Sequence, residues 1–156
     1  MINRAREYNQ FGDRCEYRLN VSSRLEDVDD NSFEFVYTDR VLQHIDASLA
    51  KDYIRELYRV VAPGGTLVFV EASAWTRSWR GVAVSLMPAS AMNTVRRLRY
   101  RRRGVMELHV LPVAVTEALI TGVGGEILDR RVSPAPEDQP FIAHRYVVRK
   151  ASASAE

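Results

Sequence analysis

Apolar positions along this chain recur in two rhythms, and each predicts a different element. Leu49, Tyr53, Ile54, Leu57, Tyr58 and Val61 fall three or four residues apart, which predicts an amphipathic helix. Asp46 and Ser48 stand ahead of it as candidate N-caps, and Pro63-Gly64-Gly65 stops it. Residues 2–10 hold good helix formers (Arg4, Ala5, Arg6, Glu7) and predict a shorter helix. A third helix is predicted over residues 113–123, ended by Gly124-Gly125. The strand rhythm appears in residues 16–21, where Tyr17, Leu19 and Val21 share one face. Phe33-Glu34-Phe35-Val36-Tyr37 is a compact aromatic and β-branched strand, and residues 66–70 read as a buried strand. Residues 126–132 and 141–149 predict two more strands. The Pro-rich segment 133–140 joins them, as suits an antiparallel pair at a sheet edge. Helix, strand, helix, strand at these spacings predicts crossover units of a parallel sheet, hence an α/β fold.

The pattern weakens over residues 75–103. Pro88 suits the first turn of a helix with Ala91, Met92, Val95 and Leu98 on one face. Charge changes the picture here. The net charge is only +2, yet 20 of the 22 basic residues are Arg. From Ala72 to Met106 there is no acidic residue, and eight Arg fall in that stretch. The run Arg96-Arg97-Leu98-Arg99-Tyr100-Arg101-Arg102-Arg103 reads as a solvated helix face or as a site for an anionic ligand: phosphate, nucleic acid or an anionic membrane. No apolar run reaches the ~18 residues of a membrane span. Residues 1–7 lack the apolar core of a signal peptide, and Cys15, a single cysteine, has no internal disulfide partner. A cytoplasmic location is the expectation.

Three blocks carry a family resemblance. Asp30-Asn31-Ser32-Phe33-Glu34-Phe35-Val36-Tyr37-Thr38 resembles the fourth strand of class I S-adenosylmethionine-dependent methyltransferases, with Glu34 where the family usually has Asp. Val41-Leu42-Gln43-His44-Ile45 resembles the segment lining the cofactor's methionine end. Tyr53-Ile54-Arg55-Glu56-Leu57-Tyr58-Arg59-Val60-Val61-Ala62-Pro63-Gly64-Gly65-Thr66-Leu67 resembles the entry to the fifth strand. The resemblance extends to the ends: residues 1–6 are similar to the helix after the family's second strand, and residues 15–20 to its third strand. It implies one partial domain over residues 1–150, with 72–105 as a variable basic insertion and 151–156 as a disordered tail.

The implied fold is a Rossmann-like methyltransferase sheet, mostly parallel with an antiparallel C-terminal strand pair, and with the first two strands missing. In the family's sheet order, 3-2-1-4-5-7-6, those strands stand between strands three and four. One side of residues 33–37 is then expected to lack backbone partners. Either strand three closes onto strand four, or a second chain covers the gap. The Gly-rich loop after strand one and the acidic residue ending strand two, which hold the cofactor in such sites, have no counterpart in this sequence.

The resemblance implies S-adenosyl-L-methionine as cofactor and a small-molecule, sugar or lipid acceptor. Asn20 and Leu25 correspond to the adenine loop, and Thr38 and Val41 to the methionine end. His44, beyond the end of a parallel strand, is either a general base for an acceptor hydroxyl or a residue packing the turn. His109 lies in an apolar setting as core or pocket lining, and His144 is expected at the surface. Asp27, Asp29 and Asp30 lack ordered spacing and a partner His, and read as a solvated turn rather than a metal site. Three functions compete: a methyltransferase, a methyltransferase-like binding or structural protein that docks a homo-oligomeric or foreign partner through its open sheet, and an anion-binding module.

Overall fold

The computed structural model describes residues 2–22, 24–77, 82–83, 86–87, 91, 108–134 and 140–152. The main elements in chain order are α1 (Ile2–Glu7), β1 (Phe33–Asp39), α2 (Ala47–Val60), β2 (Val61–Trp75), α3 (Val113–Gly122), β3 (Gly125–Ser133) and β4 (Phe141–Lys150). The four strands form one sheet in the order β1-β2-β4-β3. β1 and β2 run parallel, joined by α2 as a crossover, while β4 is antiparallel to both β2 and β3. The α/β class and the antiparallel C-terminal pair therefore stand as the sequence implies. The predicted helical run Arg96–Arg103 and the end of the tail lie outside the described residues.

The helix α2 forms because its apolar positions share one face. Ala50, Ile54 and Tyr58 are buried against the sheet, and Asp52 and Arg55 point outward as an i,i+3 ion pair at 2.8 Å. Asp46 caps its start, accepting from the Ser48 amide at 2.8 Å. At its other end Lys150 Nζ donates to the carbonyls of Tyr58 and Arg59, each at 3.0 Å, satisfying groups that a helix terminus leaves open. Near the start of β2, where its register with β1 shifts, space is tight at Gly65: a Cβ there would sit 2.8 Å from the carbonyl oxygens of both Ala62 and Glu34. Glycine lets β1 and β2 approach at this point. Leu67, Phe69, Tyr146 and Val148 then meet Ile54 of α2 and Ile120 of α3 in the core, and the Phe69 and Tyr146 rings stack at 5.0 Å.

Residues 16–21 are not the predicted strand. They carry no strand pairing, and Leu19 and Val21 are 70% and 88% exposed. The alternation is present, but a strand also needs a hydrogen-bonding neighbour, and the polar groups here go to α2 instead. Asn20 Nδ2 donates to Tyr53 Oη at 2.8 Å, and Tyr53 Oη to the Ser22 carbonyl at 3.0 Å. The Leu25 amide donates to Glu56 Oε2 at 3.0 Å. Arg59 adds bonds to the carbonyls of Leu25 and Val28 and to Asp30. Strand three thus does not close onto β1, and the parallel part of the sheet is the β1–β2 pair. The strand β2 also outruns its expected end: Ala72, Ala74 and Trp75 still pair with β4.

Candidate functional site

Parallel strands bring their C-terminal ends to the same side, and in open α/β sheets ligands bind outside those ends. The Arg40 amide donates to the Val70 carbonyl at 3.2 Å, which ties the exit of β1 to β2. Arg40 itself takes a positive φ of 56°, rare for a residue with a side chain, and turns the chain into a short 3-10 turn, Leu42–His44. The segment before α3 closes the other wall. The His109 amide donates to the Gln43 carbonyl at 2.8 Å, and the Leu111 amide to the Ala72 carbonyl at 2.9 Å. These contacts enclose a small pocket lined by Gln43, Glu71 and His109 with apolar walls from Leu42, Ala50 and Leu111.

Two of the pocket's polar residues are buried. Glu71 is 1% exposed and Gln43 6%. The Thr116 hydroxyl, from α3, donates to Glu71 Oε1. Among the described residues, Glu71 Oε2, Gln43 Oε1 and the neighbouring Tyr146 hydroxyl have no hydrogen-bond partner. Burial, only partly offset by the Thr116 bond, pushes the Glu71 carboxyl up to about 7. Burial, and then the nearby Glu71 carboxylate, also raise the Tyr146 phenol. A carboxyl in this state exchanges between proton donor and acceptor near neutral pH. The two free oxygens of Gln43 and Glu71 call for an N–H or O–H group.

The structure separates the residues singled out from sequence into two sets. His44 sits at the end of the 3-10 turn, half-buried, with its Nε2 3.2 Å from Gln43 Nε2. Val41 opens that turn and is 58% exposed, and Thr38 lies half-buried in β1 opposite Phe69. Asn20 and Leu25 lie instead against α2, their amides engaged by Tyr53 and Glu56. His109 lines the pocket rather than packing in the core. His144 is not at the surface. It is half-buried with Nδ1 2.5 Å from Ser73 Oγ, and burial, then Arg130, lower its pKa. Asp30 pairs with Arg59 at 2.5 Å. Glu71, Thr116 and Tyr146 went unnoticed in the sequence, and Gln43 stood there only as a member of the block 41–45, with no role of its own. The signal for Glu71 was a carboxylate ending an apolar β-run, and that for the others lay only in three dimensions.

Residues 1–69 match the family model of the methyltransferase domain. No curated protein matches the chain. Among solved structures, an S-adenosylmethionine-dependent methyltransferase from Methanosarcina mazei superposes with a TM-score of 0.60 at 20% identity, over 88% of this chain and 68% of that one. The 1,6-didemethyltoxoflavin-N1-methyltransferase of Burkholderia thailandensis, solved with 1,6-didemethyltoxoflavin and S-adenosylhomocysteine, gives 0.62 at 12% identity over 96% of this chain and 57% of that one. A methyltransferase of Haloferax volcanii in complex with the Trm112 methyltransferase activator gives 0.63 at 13% identity, over 100% of this chain and 69% of that one. At such identities the likeness establishes the fold. The resemblance read from Ser32 to Leu67 is borne out, and the fold is the Rossmann-like methyltransferase fold over the part this chain spans.

Proposed function

We propose, from the match of residues 1–69 to the methyltransferase domain, that this chain is an S-adenosylmethionine-dependent methyltransferase or a truncated relative of one. Its acceptor, in this reading, is a small molecule, sugar or lipid whose hydroxyl or amine enters the pocket at Gln43 and Glu71. The observation that carries the reading is that Gln43 and Glu71, each with one buried oxygen that has no hydrogen-bond partner among the described residues, line one pocket where the parallel pairing of β1 and β2 ends. His44 stands next to Gln43 as the candidate general base. The single thiol is in keeping with a cytoplasmic setting.

The residues present do not make a whole site for S-adenosylmethionine. Thr38, Val41 and the 3-10 turn suit its methionine end. On the adenine side, Asn20 and Leu25 are turned to α2, and no glycine-rich turn follows a strand among the described residues. Binding to this chain alone is therefore expected to be weak, in the millimolar range or about 4 kcal/mol. The test is an amide NMR titration with S-adenosylhomocysteine. The reading expects shifts at Thr38, Val41, Gln43 and Glu71, with Asn20 and Leu25 unmoved. A spectrum unchanged at saturating ligand removes it and favours the second reading, a methyltransferase-like binding or structural protein. That reading rests on the engaged adenine-side residues.

A further inference from the structure

The pocket at Gln43 and Glu71 is small and carries two open acceptors. Its volume is about 10 Å³, room for one water-sized group. Leu42, Ala72 and Leu111 wall it with apolar carbon. Ala47 and His109 of its lining keep partial solvent exposure, so the rest of a ligand leads out on that side. Gln43 places its amide nitrogen 3.2 Å from His44 Nε2, which leaves Oε1 as its open group. The groups around Glu71 do not answer its second oxygen. The Thr116 hydroxyl on α3 donates to Oε1. His144, opposite Glu71 on β4, lies 2.5 Å from Ser73 Oγ. The Tyr146 phenol, also on β4, is itself without a partner among the described residues, and no Lys or Arg among them bonds Oε2. A buried carboxyl with neither a cation nor a second donor is an open site for a group that supplies both.

On the reading of this pocket as the acceptor's, we propose that it takes the ammonium head of a primary amine, so that the methyl acceptor is a primary-amine compound anchored at Gln43 and Glu71. A primary ammonium carries three N–H donors and a positive charge. One head of about the size of water therefore bonds both oxygens and neutralises the carboxylate. A hydroxyl has one donor and leaves one oxygen bare. A water has two donors but brings no charge. Calcium and magnesium take about six oxygen ligands or more, which this space does not hold. Burial raises the Glu71 carboxyl to about 7, still well below an alkylamine at about 10, so the proton stays on the nitrogen when the two meet. A protonated nitrogen has no free electron pair. The ammonium is therefore a handle, and the atom that receives the methyl group is a different one.

The carboxyl carbon of Glu71 reads the pocket directly by NMR. Its pH titration is followed with methylammonium chloride, and with sodium chloride, tetramethylammonium chloride or methanol at equal concentration. Saturating methylammonium is expected to favour the ionised carboxyl about ten-fold or more, moving the Glu71 midpoint down by about one pH unit, while the three controls leave it in place. Gln43→Leu removes one acceptor and is expected to weaken methylammonium about ten-fold with an unchanged circular dichroism spectrum. A midpoint that methylammonium does not move overturns the proposal, because a water then serves the pocket. An equal shift with sodium, tetramethylammonium or methanol overturns it too, as does full affinity in Gln43→Leu. S-adenosylhomocysteine is titrated separately and read at Thr38 and Val41. Shifts there beside an unmoved Glu71 midpoint sink the ammonium handle and leave methyl transfer standing. The reverse result sinks methyl transfer and leaves the ammonium site.

Discussion

Glu71 is the residue whose chemistry departs furthest from its sequence context. Its carboxyl is raised from 4.5 to about 7 because burial penalises the charged form. The folded state then holds a proton that the unfolded chain releases between those two values. Glu71's contribution to stability is therefore fully present below pH 4.5 and is lost as pH rises through about 7. The size at stake is about 3 kcal/mol, and a side chain 1% exposed gains little relief from solvent. Glu71→Gln keeps the shape and the acceptor for Thr116 but removes the titration. Urea unfolding at a series of pH values is expected to show the wild type losing stability from pH 4.5 to 7 and the variant nearly flat over that window. A wild-type profile as flat as the variant's would show that the carboxyl is not buried as described.

At the scale of elements, α2 organises both the fold and the misread segment before it. Its spacing, its Asp46 cap and its Pro63-Gly64-Gly65 stop were all legible in sequence, because they depend on neighbours three or four residues away. What sequence did not show is that its polar side claims residues 20–31. Arg59 is the clamp, bonding Glu56, Asp30 and the carbonyls of Leu25 and Val28. Glu56 is 8% exposed, and its bond from Arg59 holds its carboxyl below the ordinary carboxylate range. That stabilisation is full above the unfolded pKa of 4.5 and fades as acid titrates the folded carboxylate. Arg59→Met retains the apolar stem but leaves Glu56 without its ion pair. The expected loss is about 2 kcal/mol at neutral pH, with limited proteolysis moving into residues 20–31. Gly65→Ala tests the other joint. A methyl group 2.8 Å from two carbonyl oxygens forces β1 and β2 apart, at a cost of about 2 kcal/mol in thermal or urea unfolding. Pro63-Gly64-Gly65 was legible as the end of the helix, although the structure places it within β2; the close approach of Glu34 was not legible, since residues 34 and 65 meet only in the sheet.

Over the whole molecule the sheet is covered by α2 and α3 on one face and bounded by two unlike edges, and this asymmetry is what alternation in a single strand cannot reveal. The pattern Phe33-Glu34-Phe35-Val36-Tyr37 announces a strand with two faces, but not how many neighbours it has. Residues 16–21 failed as a strand for the same reason: an apolar face was available and a ladder partner was not. The consequence is readable one amide at a time. By the same alternation as the Arg40 bond to Val70, the amides of Val36 and Thr38 bond β2, while those of Phe35 and Tyr37 point away from it. Hydrogen exchange at low protein concentration is expected to alternate along β1, with Val36 and Thr38 at least about a hundred-fold slower than Phe35 and Tyr37. On β4, which has neighbours on both sides, central amides from Tyr146 to Val148 are expected to be protected without alternation.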